Sequence, residues 1–252
     1  MPARSTTEVI LALDVESRAR AESLIEATGD ELLWIKIGLQ SYLRDGPEFI
    51  HDIAARGKKS FLDLKLHDIP NTVAKAVIAA TDLDVQMTTV HASGGTEMLA
   101  AAENAAHEQA AMLRADPLLV LAVTVLTSMD EGNLAELGVG GNVQGQVLRL
   151  AKLATVAGLR GLVCSPQEIE MLRAELGDDI QLVTPGIRPA TIKTDDQKRT
   201  MTPAEAIQAG ANWLVIGRPI TSANDPKAAA IGILQSIDPE LVPKSERREP
   251  IP

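Results

Sequence analysis

Short runs of apolar and β-branched residues recur along the chain, and segments with helical periodicity lie between them. Eight such runs are the predicted strands: Val9–Val15, Leu33–Leu39, Ser60–Leu66, Val85–His91, Leu118–Leu126, Gly161–Ser165, Ile180–Thr184 and Trp213–Ile216. Several of them are apolar at consecutive positions, which is typical of strands that are covered on both faces. The alternation predicts repeated β/α units around a parallel sheet.

The segments between the runs carry helix start and stop signals. Ser17 is a favourable N-cap for the first helix, and the segment after Pro70 has apolar residues at helical spacing. Gly57, Gly158 and Gly210 lie where a helix must end before the next strand. Eight strands, each followed by a helix, predict a closed (β/α)8 TIM barrel. An open doubly wound sheet is the alternative.

The chain length of 252 residues matches the usual size of such a barrel, and no segment resembles an interdomain linker. We therefore predict a single catalytic domain over residues 1–240. Residues 241–252 combine prolines with charges of both signs, so we expect a flexible C-terminal tail there.

Composition narrows the possible partners and compartments. The net charge of −10 repels phosphate backbones and anionic lipids, so we expect neither nucleic acid nor a membrane as a partner. The longest apolar tract, Leu118–Leu126, is far too short to span a bilayer. The single cysteine, Cys164, excludes internal disulfides and is expected to be an inert buried thiol in a reducing cytoplasm.

Charged and hydroxyl-bearing residues collect where the predicted strands end. They are Asp14, Lys36, Asp63, Lys65, Asp68, Thr127, Ser128 and, with a glycine beside it, Arg218. In a β/α barrel the carboxyl ends of the strands form the catalytic face. The pattern therefore predicts an active site at this face.

The densest group lies in the third predicted strand. Asp63 and Lys65 are two residues apart, so on a regular strand their side chains leave the same face about 6.5 Å apart, with leucines on the other face. Burying such a pair is costly, which makes it better evidence for a chemical task than for stability. A salt bridge at the rim of the barrel is the simpler alternative.

This pattern, Asp-x-Lys-x-x-Asp from Asp63 to Asp68 followed by Ile-Pro-Asn-Thr, resembles the orotidine 5′-monophosphate decarboxylase family in its bacterial form. Six more segments resemble that family in the same order: Leu11–Asp14, Lys36–Gly38, Val90–Gly95, Val123–Ser128, Val183–Pro189 and Val215–Pro219. The resemblance extends from about Val9 to Ser236.

The resemblance implies a lyase that converts orotidine 5′-monophosphate to uridine 5′-monophosphate and carbon dioxide, the last step of de novo pyrimidine biosynthesis. It implies that Lys65 donates a proton to C6 of the pyrimidine and that Asp63 lies beside the substrate carboxylate. Lys36 and Asp14 would hold the ribose hydroxyls. No metal and no organic cofactor are implied.

The resemblance also implies a homodimer in which Asp68 and Thr72 reach into the partner's site. Thr127 would contact the pyrimidine, with Ser128 beside it. The phosphate would be held near the ends of strands 7 and 8 by Pro185, Arg188, Gln197, Gly217 and Arg218. The polar stretch between Arg188 and Gln197 has no apolar period, so we expect a mobile lid over the phosphate.

The histidines and one glycine-rich stretch are not expected to take part in catalysis or in binding a metal. The four histidines show no metal-ligand spacing; His91 is expected to order the rim and His67 to pack or to lie in an interface. The stretch Gly140–Gly145 imitates the start of a phosphate-binding loop, but Gln146 follows where a lysine is required, so we expect a flexible loop before a helix over 146–157.

Two other functions remain open from the residues alone. Barrel enzymes such as keto-sugar phosphate decarboxylases and hexulose phosphate synthases share the Asp-x-Lys-x-x-Asp frame and use a metal. A nucleotide-binding barrel without catalytic activity is the second alternative, which the intact Asp63, Lys65 and Asp68 disfavour.

Overall fold

A computed structural model describes residues 8–189 and 200–238. Eight parallel strands close into a barrel in which each strand pairs with the next and β8 pairs with β1. The strands are β1 Glu8–Ala12, β2 Trp34–Gly38, β3 Lys59–Leu66, β4 Met87–His91, β5 Leu119–Val123, β6 Gly161–Val163, β7 Gln181–Thr184 and β8 Trp213–Ile216. The predicted (β/α)8 barrel is confirmed, and the closure between β1 and β8 excludes the open sheet.

Helices follow the strands and surround the barrel. Those in the described part of the chain are α1 Arg18–Thr28, α2 Leu39–Ala55, α3 Pro70–Asp82, α4 Gly95–Leu113, α5 Glu131–Glu136, α6 Val143–Val156, α7 Ile169–Leu176, α8 Pro203–Ala209, α9 Arg218–Thr221 and α10 Pro226–Ile237. None of these helices has both the length and the apolar character needed to cross a membrane. The predicted tail over 241–252 lies outside the described residues, and the assignment of residues 1–240 to one domain stays a prediction.

Several strands are shorter than the apolar runs that predicted them. β1 ends at Ala12 and β5 at Val123, although the runs continue to residues 15 and 126. Leu13, Val15 and Val125 lie after these strands and are still buried. An apolar run indicates which residues are buried, not which residues pair in the sheet. Because the first loop residues after a barrel strand pack against the same core, the apolar runs extend beyond the hydrogen-bonded part of each strand.

The helix signals are largely confirmed. Ser17 caps α1 by accepting the backbone N–H of Arg20 at 3.2 Å. The predicted loop 140–145 is wrong at its end, since α6 already begins at Val143. Asn142 explains the difference because its side chain caps this helix, accepting the N–H of Gly145 at 2.8 Å.

The strands separate two apolar layers. An outer layer joins strands and helices, while an inner cluster fills the barrel and includes Phe61, Met87 and Leu121. Trp34 and Trp213 meet edge to face at 4.9 Å at the amino ends of β2 and β8. The aromatic pair therefore fills the amino-terminal end of the barrel, and the chemistry is left to the carboxyl ends.

Candidate active site

A cavity of about 420 Å³ opens among the carboxyl ends of the strands. Predicted site residues that line it are Asp14, Lys36, Asp63, Lys65, Thr127, Pro185, Arg188, Gly217 and Arg218. Side chains such as Val123, Val163, Val183 and Val215 form an apolar wall. The cavity thus combines an apolar surface suited to a ring with charged groups that converge on it, as small-molecule sites do.

Four charged side chains form a row of alternating sign along the cavity. Lys36 Nζ lies 3.0 Å from Asp14 Oδ2 and 3.3 Å from Asp63 Oδ2. Lys65 Nζ donates to Asp63 Oδ1 at 2.8 Å. Asp63 therefore bridges two ammonium groups, and the row runs from Asp14 to Lys65.

The inner pair of this row is shielded from solvent, and burial alone would disfavour both charges. For Asp63, the positive charges of Lys36 and Lys65 outweigh burial and hold the pKa of the carboxyl below its usual value. For Lys36, the carboxylates of Asp63 and Asp14 likewise outweigh burial and raise the pKa of its ammonium. Both groups stay ionised at neutral pH.

The outer members are more accessible, with 30% of the Lys65 side chain and 50% of the Asp14 side chain exposed. These exposed groups face the cavity that a ligand would enter. The row is therefore fixed at its centre by Lys36 and Asp63 and open at both ends.

β3 departs from the regular strand that the sequence analysis assumed. Its pairing with β4 runs from Leu62 opposite Thr88 directly to Leu66 opposite Val90, and Lys65 has a left-handed backbone with φ of 52°. A left-handed non-glycine residue costs about 1–2 kcal/mol. The assumed regular strand geometry is therefore wrong at Lys65, which lies in a bulge, although the side chains of Asp63 and Lys65 both line the cavity, as their predicted common face requires.

Two residues that support the row were missed by the sequence analysis as site residues. A side chain at Gly38 would collide with Asp14 Oδ1 and come within 3.2 Å of Lys36 Nζ, so glycine leaves room for the ion pair. Thr89 donates to Asp63 Oδ1 at 3.0 Å and accepts the Lys65 N–H at 2.8 Å. For Thr89, the available signal was a pair of adjacent threonines, Thr88 and Thr89, in the middle of the fourth predicted strand.

Residues that follow β7 and β8 in the chain form the far side of the cavity. Arg188 is buried, its Nη1 donates to the Ile187 carbonyl at 2.9 Å, and its backbone N–H donates to the Met201 carbonyl at 2.9 Å. Arg218 is the first residue of α9. Gln197 and most of the predicted lid lie outside the described residues.

Three predicted site residues do not line the cavity. Asp68 and Thr72 are exposed, and Asp68 Oδ1 accepts the N–H of Ile69 at 2.7 Å. Ser128 is exposed in a turn after β5. Asp68 and Thr72 are therefore accessible at the surface of the single chain.

The rings of His67 and His91 lie 5.6 Å apart at the rim. Burial, and secondarily the charges of His67 and Lys65, lower the pKa of His91, which favours its neutral form. Cys164 lines the cavity, and burial raises the pKa of its thiol to about 12. The described residues contain no group of three or more His, Cys, Asp or Glu suited to a metal.

Comparison with known proteins agrees with this geometry. Residues 7–233 match the family model for the orotidine 5′-phosphate decarboxylase / HUMPS family. The chain is 51% identical over 230 residues to an orotidine 5′-phosphate decarboxylase of Opitutus terrae, covering 91% of this chain and 98% of that protein. The corresponding enzyme of Idiomarina loihiensis is 48% identical over 230 residues, covering 91% of this chain and 97% of that protein.

The fold agrees as well. A crystal structure of orotidine 5′-phosphate decarboxylase from Lactobacillus acidophilus superimposes with a TM-score of 0.82 at 37% identity, covering 92% of this chain and 99% of that chain. An uncharacterized conserved protein from Geobacillus kaustophilus superimposes with a TM-score of 0.81 at 31% identity, covering 91% of this chain and 100% of that chain. The chain therefore belongs to the orotidine 5′-phosphate decarboxylase / HUMPS family.

Proposed function

We propose that this chain decarboxylates orotidine 5′-monophosphate to uridine 5′-monophosphate and carbon dioxide, the last step of de novo pyrimidine biosynthesis. The observation that carries this proposal is the row of alternating charges from Asp14 to Lys65 beside an apolar cavity wall. Its relatives bear the name of this activity.

The reaction needs a fixed cation at the carbon that loses its carboxyl group. When the bond from C6 to the carboxylate breaks, its electron pair stays on C6 and carbon dioxide leaves. The ammonium of Lys65 would stabilise this developing negative charge, which is absent in the substrate, and would then transfer a proton to C6. A neutral lysine amine remains and regains a proton from solvent.

Asp63 would act on both the lysine and the substrate. Its carboxylate accepts from Lys65 Nζ at 2.8 Å and so holds the ammonium in place. The same charge would repel the carboxylate of a bound substrate, which favours loss of that group as neutral carbon dioxide. Lys36 and Asp14 would bind the two ribose hydroxyls, one as donor and one as acceptor.

The phosphate would occupy the opposite side of the cavity, near Pro185, Gly217 and Arg218, with Arg188 beside it. A guanidinium offers two parallel donors to phosphate oxygens, which suits an arginine at this position. Gln197 would complete this site. Thr127 lines the cavity and would contact the pyrimidine, with Ser128 next to it in the chain.

We further propose a homodimer in which Asp68 and Thr72 complete the partner's site. Their exposure at the rim beside β3 supports this arrangement. The cytoplasm is the proposed compartment, since the chain's one cysteine is a free thiol.

The proposed function is tested by an ultraviolet assay of the purified protein with orotidine 5′-monophosphate in the presence of a chelator. We expect turnover that the chelator does not reduce. Lys65→Ala should lower kcat by at least about 1,000-fold, because both a fixed cation and a proton donor are lost. Loss of activity with chelator, or turnover of a keto-sugar phosphate instead, would favour the metal-using barrel enzymes.

A further inference from the structure

The hydroxyl of Thr89 lies inside the barrel between the two charged residues of β3. Thr89 is completely buried. Its Oγ1 donates to Asp63 Oδ1 at 3.0 Å and accepts the backbone N–H of Lys65 at 2.8 Å. Lys65 Nζ donates to the same carboxylate oxygen at 2.8 Å. The three residues thus form a closed ring of hydrogen bonds that includes both the backbone and the side chain of the lysine.

At the bulge in β3, this hydroxyl accepts the backbone N–H of Lys65. The pairing passes from Leu62 opposite Thr88 to Leu66 opposite Val90. Thr89 is therefore the one residue of β4 that lies opposite the stretch from Asp63 to Lys65. In a regular ladder a strand N–H donates to a backbone carbonyl of the neighbouring strand. Here the N–H of Lys65 donates to a side chain instead, at the residue whose backbone is left-handed.

We propose that Thr89 is a positioning residue of the decarboxylation: its hydroxyl holds Asp63 and the backbone of Lys65 so that the ammonium points at the reacting carbon. This inference rests on the proposed function. A hydroxyl has one proton and two lone pairs, so it donates to the carboxylate and accepts the N–H at once. Valine has the same shape and can do neither. Lys65 would then lose the hydrogen bond of its backbone N–H and keep only the bond from its ammonium to Asp63.

Thr88 provides a matched control in the same strand. It is also completely buried, and its Oγ1 donates to the backbone carbonyl of Leu62 at 3.0 Å. As the neighbouring residue it faces the opposite side of the sheet, toward the helices. Thr88→Val therefore removes a buried hydrogen bond between the same two strands without affecting the charged row.

The experiment measures kcat, KM and the Kd of uridine 5′-monophosphate for wild type, T89V, T89S and T88V. We expect T89V to lower kcat about 10- to 100-fold, since small misplacement of a catalytic group has effects of this size. KM and the product Kd should change less than about threefold, because the binding groups remain. T89S should restore most of the lost kcat, and T88V should keep a kcat near that of wild type.

The role of Thr89 is overturned if T89V retains wild-type kcat, if T88V loses as much kcat as T89V, or if T89S is no better than T89V. An inactive wild type would refute the proposed function, and the role of Thr89 with it. An active wild type with an unaffected T89V would refute only the role of Thr89. Should T89V fail to fold, T89A also lacks the hydroxyl and is compared with T88A in the same assay.

Discussion

Lys36 and Asp63 form the buried centre of the charged row, with only 9% and 12% of their side chains exposed. Removing either charge leaves the other buried with only one charged partner, Lys65 for Asp63 or Asp14 for Lys36, and both of these partners are more exposed to solvent. Their stability contribution can therefore be measured apart from catalysis.

We expect Lys36→Met to lower the free energy of unfolding in urea at pH 7 by about 3–5 kcal/mol, because Asp63 loses its more deeply buried cation and keeps only the partly exposed Lys65. The double variant Lys36→Met with Asp63→Asn should recover much of this loss. Lys152 is the matched control, since its 2.7 Å pair with Glu175 is about half exposed. Lys152→Met should cost about 1 kcal/mol or less, and an equal cost at both lysines would contradict the prediction.

The pair also has a defined pH dependence. The pKa of Asp63 is lowered, so its stabilisation is present above the unfolded carboxyl pKa of about 3.9 and is lost as the pH falls through the folded value. The pKa of Lys36 is raised, so its stabilisation is present below about 10.4 and is lost as the pH rises through the folded value. Urea unfolding from pH 3 to pH 11 should give the largest difference between wild type and the double variant near neutral pH.

At the scale of elements, the junction of β2 and α2 determines whether the row can form. Gly38 ends β2 and caps α2, and its missing side chain leaves the space used by Asp14 and Lys36. Tight backbone packing next to a site is a common reason for glycine, independent of its flexibility.

We expect Gly38→Ala to displace the Asp14 carboxylate and to weaken binding of uridine 5′-monophosphate at least about tenfold, a loss of about 1.4 kcal/mol. Isothermal titration calorimetry measures this directly. Gly232→Ala is the control, since a Cβ added at this exposed residue of α10 would have no neighbouring atom within 4 Å and should raise helix stability by up to about 1 kcal/mol. Unchanged binding in Gly38→Ala would show that the row tolerates a side chain there.

At the scale of the whole molecule, the acidic surface and the inward-facing cations have separate roles. The net charge is −10, yet Lys36, Lys65, Arg188 and Arg218 all line the cavity. Affinity for an anionic nucleotide therefore depends on a few placed cations rather than on the general surface field.

Subunit mixing tests whether the site is shared between two chains. Lys65→Ala and Asp68→Ala should each be inactive alone, and random exchange makes half of the dimers mixed. One of the two sites in each mixed dimer would carry both residues, so about a quarter of native activity should return. No recovery after exchange, verified by mass spectrometry of the mixed dimers, would place both residues in the same chain's site.

The barrel and most of the cavity lining were predictable because they depend on local patterns. The eight strands were found at nearly their observed positions, and residues such as Asp14, Lys36 and Arg218 follow strands where a barrel places its catalytic face. The bulged, left-handed backbone of Lys65 was not predictable, because the bulge depends on how β3 pairs with β4.

The sequence by itself determined which residue types stand at each strand end, since hydrophobic periodicity and residue order are written locally in the chain. Only the tertiary structure decided that Thr89 bonds to both Asp63 and Lys65, that Gly38 makes room for the ion pair, and that Ser128 does not line the cavity. These features arise from register and close approach between segments distant in the chain, and no local pattern encodes such distances.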